Sequence, residues 1–272
     1  MNRGVLIWFW SLFVIGVLSV AAIFFFIGAG WLGEMPSFEQ LENPSTAHST
    51  QIISTDNVVI GKFYLQNRSD IAFDNLNDNV RHALQATEDI RFFEHTGVDL
   101  RALLRVVKGA LTGDSQGGGS TITQQLAKNL FPREKNQSKL QLVFRKLKEW
   151  IIAVRLERSY TKEEIMAMYL NTVEFSDNAF GIKSAAYTYF GKPVDSLRVE
   201  EAAVLVGMLK APYQFNPRIH PQAAQQRRNV VIDQMYRYDY LSRDKRDSLF
   251  KLPVALDFHP DTHTEGMAPY FR

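Results

Sequence analysis

Glycines 117–119 open directly onto Ser120-Thr121-Ile122-Thr123-Gln124-Gln125-Leu126-Ala127-Lys128-Asn129. That order suits an anion. Glycine lets the backbone approach a ligand, a helix start presents unpaired N–H groups, and a lysine one to two turns further on adds a full charge. Thr121 with Gln124 reads as a capping box that begins the helix. The Gly-Lys-Ser/Thr ending of a nucleotide-binding loop is missing, which removes the usual nucleoside triphosphate reading. Further along, Arg145-Lys146-Leu147-Lys148-Glu149 supplies more charge. If Arg145 and Lys146 face the same pocket as Lys128, three cations meet there and a diphosphate satisfies them, arginine bidentately and lysine as a point charge. Glu149, set among Arg145, Lys146 and Lys148, suits an orienting role towards those cations. The competing reading is a solvated helix face on which Arg145 merely pairs with Glu149.

The elements that must position these residues are mainly helical. Residues 138–158 carry Leu140, Val143, Phe144, Leu147, Trp150, Ile151 and Val154 on one apolar face, and Arg145 and Glu149 one turn apart on another. Further helices are predicted from about Thr161, capped with Glu164, through Met168, over residues 199–209, and over residues 222–235. Pro212, Pro217 and Pro221 punctuate the connection between the last two. Residues 51–63, β-branched around Asp56-Asn57, read as a hairpin.

Residues 5–27 are apolar apart from Ser11, Gly16 and Ser19. A bilayer span needs about 20 such residues, whereas the apolar core of a cleavable signal has roughly 7 to 15. Gly28-Ala29-Gly30 offers a cleavage site, but the length favours a retained anchor. Arg3 is the only charge before the span, which places the N-terminus in the cytoplasm and the remainder outside. The chain has 272 residues, no cysteine and a net charge of +2. Disulfide frameworks and thiolate zinc sites are thereby excluded, and the balance gives no footprint for nucleic acid. Basic residues concentrate in the interval 133–162, where anions are expected.

A second segment, Glu88-Asp89-Ile90-Arg91-Phe92-Phe93-Glu94-His95-Thr96-Gly97, precedes the glycine run. Together with residues 118–129, residues 145–149, the stretch 162–171 ending in Tyr169-Leu170-Asn171, and Arg227 with Val231-Ile232, it resembles the five ordered motifs of the peptidoglycan glycosyltransferases of family 51. The resemblance covers roughly residues 50–235, and the tail through residues 251–272 is similar to the junction into the transpeptidase of class A penicillin-binding proteins. It implies a mainly α, lysozyme-like two-lobed transferase with a small jaw lobe, preceded by one transmembrane helix and a short β hairpin. The implied layout is a cytoplasmic tip at 1–4, a transmembrane helix at 5–28, a linker at 29–49, the transferase at 50–235 and a linker towards a transpeptidase at 236–272.

By motif position, the resemblance implies that Glu88 is the catalytic base and Glu149 the second essential carboxylate. Asp89, Thr121, Gln125, Lys128, Asn129, Arg145 and Lys146 match substrate-binding positions. The implied partners are lipid II as donor and acceptor, the membrane, and other cell-wall synthesis proteins. A divalent cation, Mg2+ or Mn2+, is expected to assist through the diphosphate, with Asp89 or Glu149 as holder. No dedicated metal site and no organic cofactor are expected. The chemistry is consistent with this: a carboxylate takes the acceptor hydroxyl's proton, and a diphosphate leaving group needs cations rather than a general acid. A glycosidase would need an acid and usually a second carboxylate, so a lytic transglycosylase or muramidase is the rival enzyme. A non-catalytic lipid II-binding scaffold is the rival of another class.

Departures and decoys remain. Glu174-Phe175-Ser176-Asp177-Asn178 intervenes before Gly181, where the family often has a tyrosine and a glycine-rich turn. Phe92 and Phe93 read as core, His95 as a structural hydrogen-bonder, and Phe180, Phe190 and Met208 as core or the lining of a lipid channel. Ser159-x-x-Lys162 and Ser176-Asp177-Asn178 mimic transpeptidase signatures, but lie close together inside the transferase motifs without a Lys-Thr-Gly. His259 and His263 have metal-ligand spacing, which Pro260 argues against.

Overall fold

The computed structural model describes residues 3–31, 35, 50–53, 55, 59–63, 67–68, 70–113, 118–131 and 138–260. Helix α1, Arg3–Gly28, is the one helix among them long and apolar enough to cross a membrane. Its 26 residues span about 39 Å, more than a hydrocarbon core requires. Strands β1 (Thr50–Ile53) and β2 (Val59–Phe63) pair antiparallel as the predicted hairpin, with Thr50 opposite Phe63. The hairpin tip, Asp56-Asn57, lies outside the described residues, as do Gly117 and His263. Strand β3 (Asn67–Arg68) pairs in parallel with β4 (Ala179–Phe180), which ties the entry into the domain to the loop after the fourth motif.

Nine further helices make up the rest of the described fold: α2 Asp78–Glu88, α3 Leu100–Thr112, α4 Ile122–Leu130, α5 Lys139–Ser159, α6 Lys162–Thr172, α7 Ile182–Phe190, α8 Val199–Met208, α9 Pro221–Arg237 and α10 Arg243–Phe250. The protein is therefore mainly α. Helices α2, α8 and α9 pack on one another, α4 packs against both α5 and α6, and α7 adjoins α6 and α8. Helix α8 is central, with every residue from Glu201 to Met208 buried.

Local chemistry explains where the helices begin. Ser138 with Gln141 and Thr161 with Glu164 both form complete capping boxes at α5 and α6. Pro221 occupies the first turn of α9, where its missing N–H costs nothing. The capping box expected at α4 is only half formed. Thr121 accepts from the Gln124 backbone, but the Gln124 side chain donates to the Gly97 carbonyl instead of returning to Thr121.

The predicted apolar face of α5 is not the face that enters the core. Glu149, Ile152, Ala153 and Leu156 are buried, whereas Leu140 and Val143 are exposed and Trp150 stacks on Phe24 of α1 at 6.5 Å. Periodicity identified residues that share a side, and that side turns to α1. Phe93 likewise departs from expectation: it is 46% exposed, while Phe92 is buried under the Lys162 ammonium. Phe190 and Met208 belong to the core.

The intervening loop before Gly181 has its own support. Ser176, Asp177 and Asn178 all adopt positive φ, a left-handed run that costs side-chain-bearing residues energy. Asp177 holds it, accepting from Tyr189 Oη at 2.9 Å, Asn216 Nδ2 at 2.7 Å and Arg218 Nη2 at 2.5 Å. The resemblance to a Ser-Asp-Asn signature is thus a turn device. Lys162, the partner in the other decoy, pairs with Glu157 at 2.7 Å, and Ser159 bonds the Arg155 carbonyl. His259 pairs with Asp257 and lies against the Tyr187 ring.

Candidate active site

Gly97 is the point at which three of the motifs join. Its φ is +90°, and a Cβ there would lie 2.8 Å from the backbone of Ala153 on α5. Only glycine allows that approach. The same residue's carbonyl accepts from Thr121 Oγ1 at 2.7 Å and Gln124 Nε2 at 3.2 Å, so the loop after α2 is fastened to the start of α4. Asp89 adds a second fastening. Its Oδ2 accepts from the Ile122 backbone at 3.1 Å, at the amide-rich start of α4, and meets His95 Nε2 at 2.9 Å. His95 is therefore a structural hydrogen-bonder, and both Asp89 and Thr121 are mostly engaged in shaping the site.

Glu88 ends α2, where the helix dipole disfavours a negative charge. Two neighbours offset that cost. Gln125 Nε2 donates to Glu88 Oε2 at 2.8 Å, and Arg227 Nη2 lies 3.8 Å from Oε1. Burial pulls the Arg227 guanidinium below its ordinary value, and the Glu88 charge opposes that shift.

Across the cleft, α5 presents the cations. Lys146 Nζ reaches Ser120 Oγ at 2.9 Å and Glu149 Oε2 at 3.0 Å, while Arg145 Nε stands 3.7 Å from Glu149 Oε1. The buried Glu149 thus faces a cation with each oxygen, which orients both side chains. Lys128, exposed on α4, lines the same cleft.

The cleft has a volume of about 1070 Å³. Glu88, Asp89, Thr121, Gln125, Lys128, Arg145, Lys146 and Glu149 all line it, so these positions, far apart in sequence, share one space. Asn129 is exposed and does not line it. Sequence reasoning did not single out Arg105, Lys210 and Arg237, which also line the cleft. They sit on α3, after α8 and on α9, and carry no local motif. With Arg91 and Arg227 they bring the basic side chains on the walls to eight, against the acids Glu88, Asp89, Asp99 and Glu149. The surplus of positive charge suits an anionic ligand. Among the described residues no group of three or more His, Cys, Asp or Glu could hold a metal ion.

Comparison with known proteins agrees with this arrangement of motifs. The sequence model of the family described as Transglycosylase matches residues 56–236. Penicillin-binding protein 1A of Pseudomonas aeruginosa is 34% identical over 238 residues, covering 87% of this chain and 28% of that protein. Penicillin-binding protein 1A of Escherichia coli is 36% identical, covering 83% of this chain and 26% of its own. Penicillin-binding protein 1F of Bacillus subtilis is 38% identical, covering 71% and 27%. The chain thus spans well under half the length of these relatives. The crystal structure of penicillin-binding protein 1A from Haemophilus influenzae aligns with a TM-score of 0.45 and 22% identity, covering 79% of this chain and 22% of that one. On the family match and the extent of these identities, the chain belongs to the transglycosylase family and carries the transglycosylase region of class A penicillin-binding proteins.

Proposed function

We propose that this chain is a peptidoglycan glycosyltransferase that polymerises lipid II into β-1,4 glycan strands, with inversion at the anomeric carbon and release of polyprenyl diphosphate. The observation that carries the reading is a single cleft with Glu88 held on one wall and Lys128, Arg145 and Lys146 on another. In the proposed reaction the acceptor's 4-hydroxyl oxygen attacks the anomeric carbon of the growing donor chain. The bond to the diphosphate breaks, its electron pair leaves with the diphosphate, and the hydroxyl proton passes to Glu88. The cations stabilise the departing charge, so no general acid is required. Glu149, facing Lys146 and Arg145, is occupied in orienting them, an arrangement unlike the acid of a glycosidase.

A divalent cation, Mg2+ or Mn2+, would in this reading assist charge stabilisation at the diphosphate, with Asp89 or Glu149 on the cleft wall to hold it. The apolar helix α1 would anchor the chain once through the membrane with the cleft on the outer side, beside a lipid-linked substrate. The two-lobed, lysozyme-like description and recruitment of other cell-wall proteins belong to the same reading. Incubation of the full chain with lipid II and, separately, with finished peptidoglycan tests it. Glycan elongation is the expected result, together with a loss of at least about 10²-fold in Glu88→Gln, as for removal of a general base. Glycan release without elongation would overturn it.

A further inference from the structure

Tyr169 on α6 is 1% exposed and reaches the site through Gln125. Its hydroxyl donates to Gln125 Oε1 at 2.9 Å, and Gln125 Nε2 donates to Glu88 Oε2 at 2.8 Å. A carboxamide has one accepting end and one donating end, so the two bonds are coupled. Whichever end Tyr169 occupies decides which end meets Glu88. Burial, followed by the nearby Glu88 charge, pushes the phenol well above its ordinary value, so the hydroxyl keeps its proton and remains a donor. Turning the amide over would set its carbonyl against the carboxylate, two acceptors in contact.

We infer that Tyr169 is a positioning residue for the base: by fixing the Gln125 amide it keeps Glu88 Oε2 occupied and leaves Oε1 to take the acceptor's proton. Oε1 is the oxygen 3.8 Å from Arg227, on the side away from Gln125's bond. This rests on the transferase reading and adds which oxygen reacts and what holds it. The proton moves from the acceptor hydroxyl to Oε1 as the new carbon–oxygen bond forms, and Tyr169 and Gln125 exchange no proton.

The test uses the full chain with lipid II as substrate. Tyr169→Phe keeps the ring and its packing and deletes only the donor. Its kcat is expected to fall about tenfold, as for a lost hydrogen bond, with KM changing less than about twofold. Because Tyr169 acts through Gln125, adding Tyr169→Phe to Gln125→Ala should cause no further loss. Two losses that multiply independently would overturn the inference, as would a Tyr169→Phe chain that elongates like the wild type. A purely structural defect would lower Tm and persist in the Gln125→Ala background, which also counts against it. A wild type that elongates nothing would overturn the transferase reading and this inference with it. An active wild type with an unaffected Tyr169→Phe would overturn only this one.

Discussion

The two carboxylates of the cleft are partnered differently, which in the proposed reaction would give them separate roles. Glu88 is held by an amide at 2.8 Å and stands 3.8 Å from a guanidinium, whereas both oxygens of Glu149 face cations on its own helix. Removing the charge of Glu149 should release Arg145 and Lys146, so Glu149→Gln should weaken binding of a non-reactive diphosphate donor analogue. Arg145→Ala and Lys128→Ala should each weaken it by about 1.5 to 3 kcal/mol, the scale of a charge-assisted hydrogen bond. Glu88→Gln should leave that affinity nearly intact. Calorimetric titration of the four variants checks this, and equal weakening by Glu88→Gln and Arg145→Ala would mean that the base and the diphosphate site are misassigned. Lys146 and Glu149 were legible in the sequence because they are close on one helix. The hold of Gln125 on Glu88 was not, because it joins residues 37 positions apart and depends on Tyr169, 44 positions further from Gln125.

At the scale of elements, the start of α6 was readable from Thr161 with Glu164, because capping is a bond between near neighbours, and the extent of α5 from its apolar period. The side on which α5 meets the core was not. Its apolar residues occupy two sides, one for the core and one for α1, and a period does not say which neighbour each side meets. Helix α3 was not individually predicted, and its start depends on Asp99, whose side chain accepts from the Ala102 backbone and from Arg91. Gly97 is where element packing is least tolerant. Gly97→Ala combines a positive φ with a backbone contact of 2.8 Å, and should destabilise the domain by about 2 kcal/mol or more. Thermal unfolding compared with Glu88→Gln checks this, since the Glu88 variant should keep its Tm.

Across the whole molecule, carboxylates hold turns and helix starts in place, Asp99 and Glu201 locally and Asp177 to partners 39 and 41 positions away. Burial would raise Asp99, Asp177 and Glu201, but hydrogen bonds outweigh it and hold each below its ordinary value. Such groups stabilise the fold at pH values above the unfolded carboxylate range, and that contribution is lost as pH falls through the folded values. Stability should therefore decline below about pH 4. Asp177→Asn should be less stable at neutral pH and show a shallower acid decline, measured by Tm between pH 7 and pH 3. The chain after α10 joins the same structure, with Asp257 and His259 donating their backbone N–H groups to Tyr189 and Thr188. Phe258 between them lies under Arg218, the guanidinium that holds Asp177.

Helix α5 touches α1 and the cleft at adjacent residues. Trp150 stacks on Phe24 and Arg155 bonds the Gly28 carbonyl, while Glu149, next to Trp150, orients the cations. On the proposed reading, α1 would bear on the catalytic helix like a lever resting on a fulcrum. A bilayer whose thickness changed the tilt of α1 would then push on α5 near Glu149. On that reading the thickness of the surrounding lipid would be one of the settings of the elongation rate, which assays in bilayers of different acyl-chain length would measure.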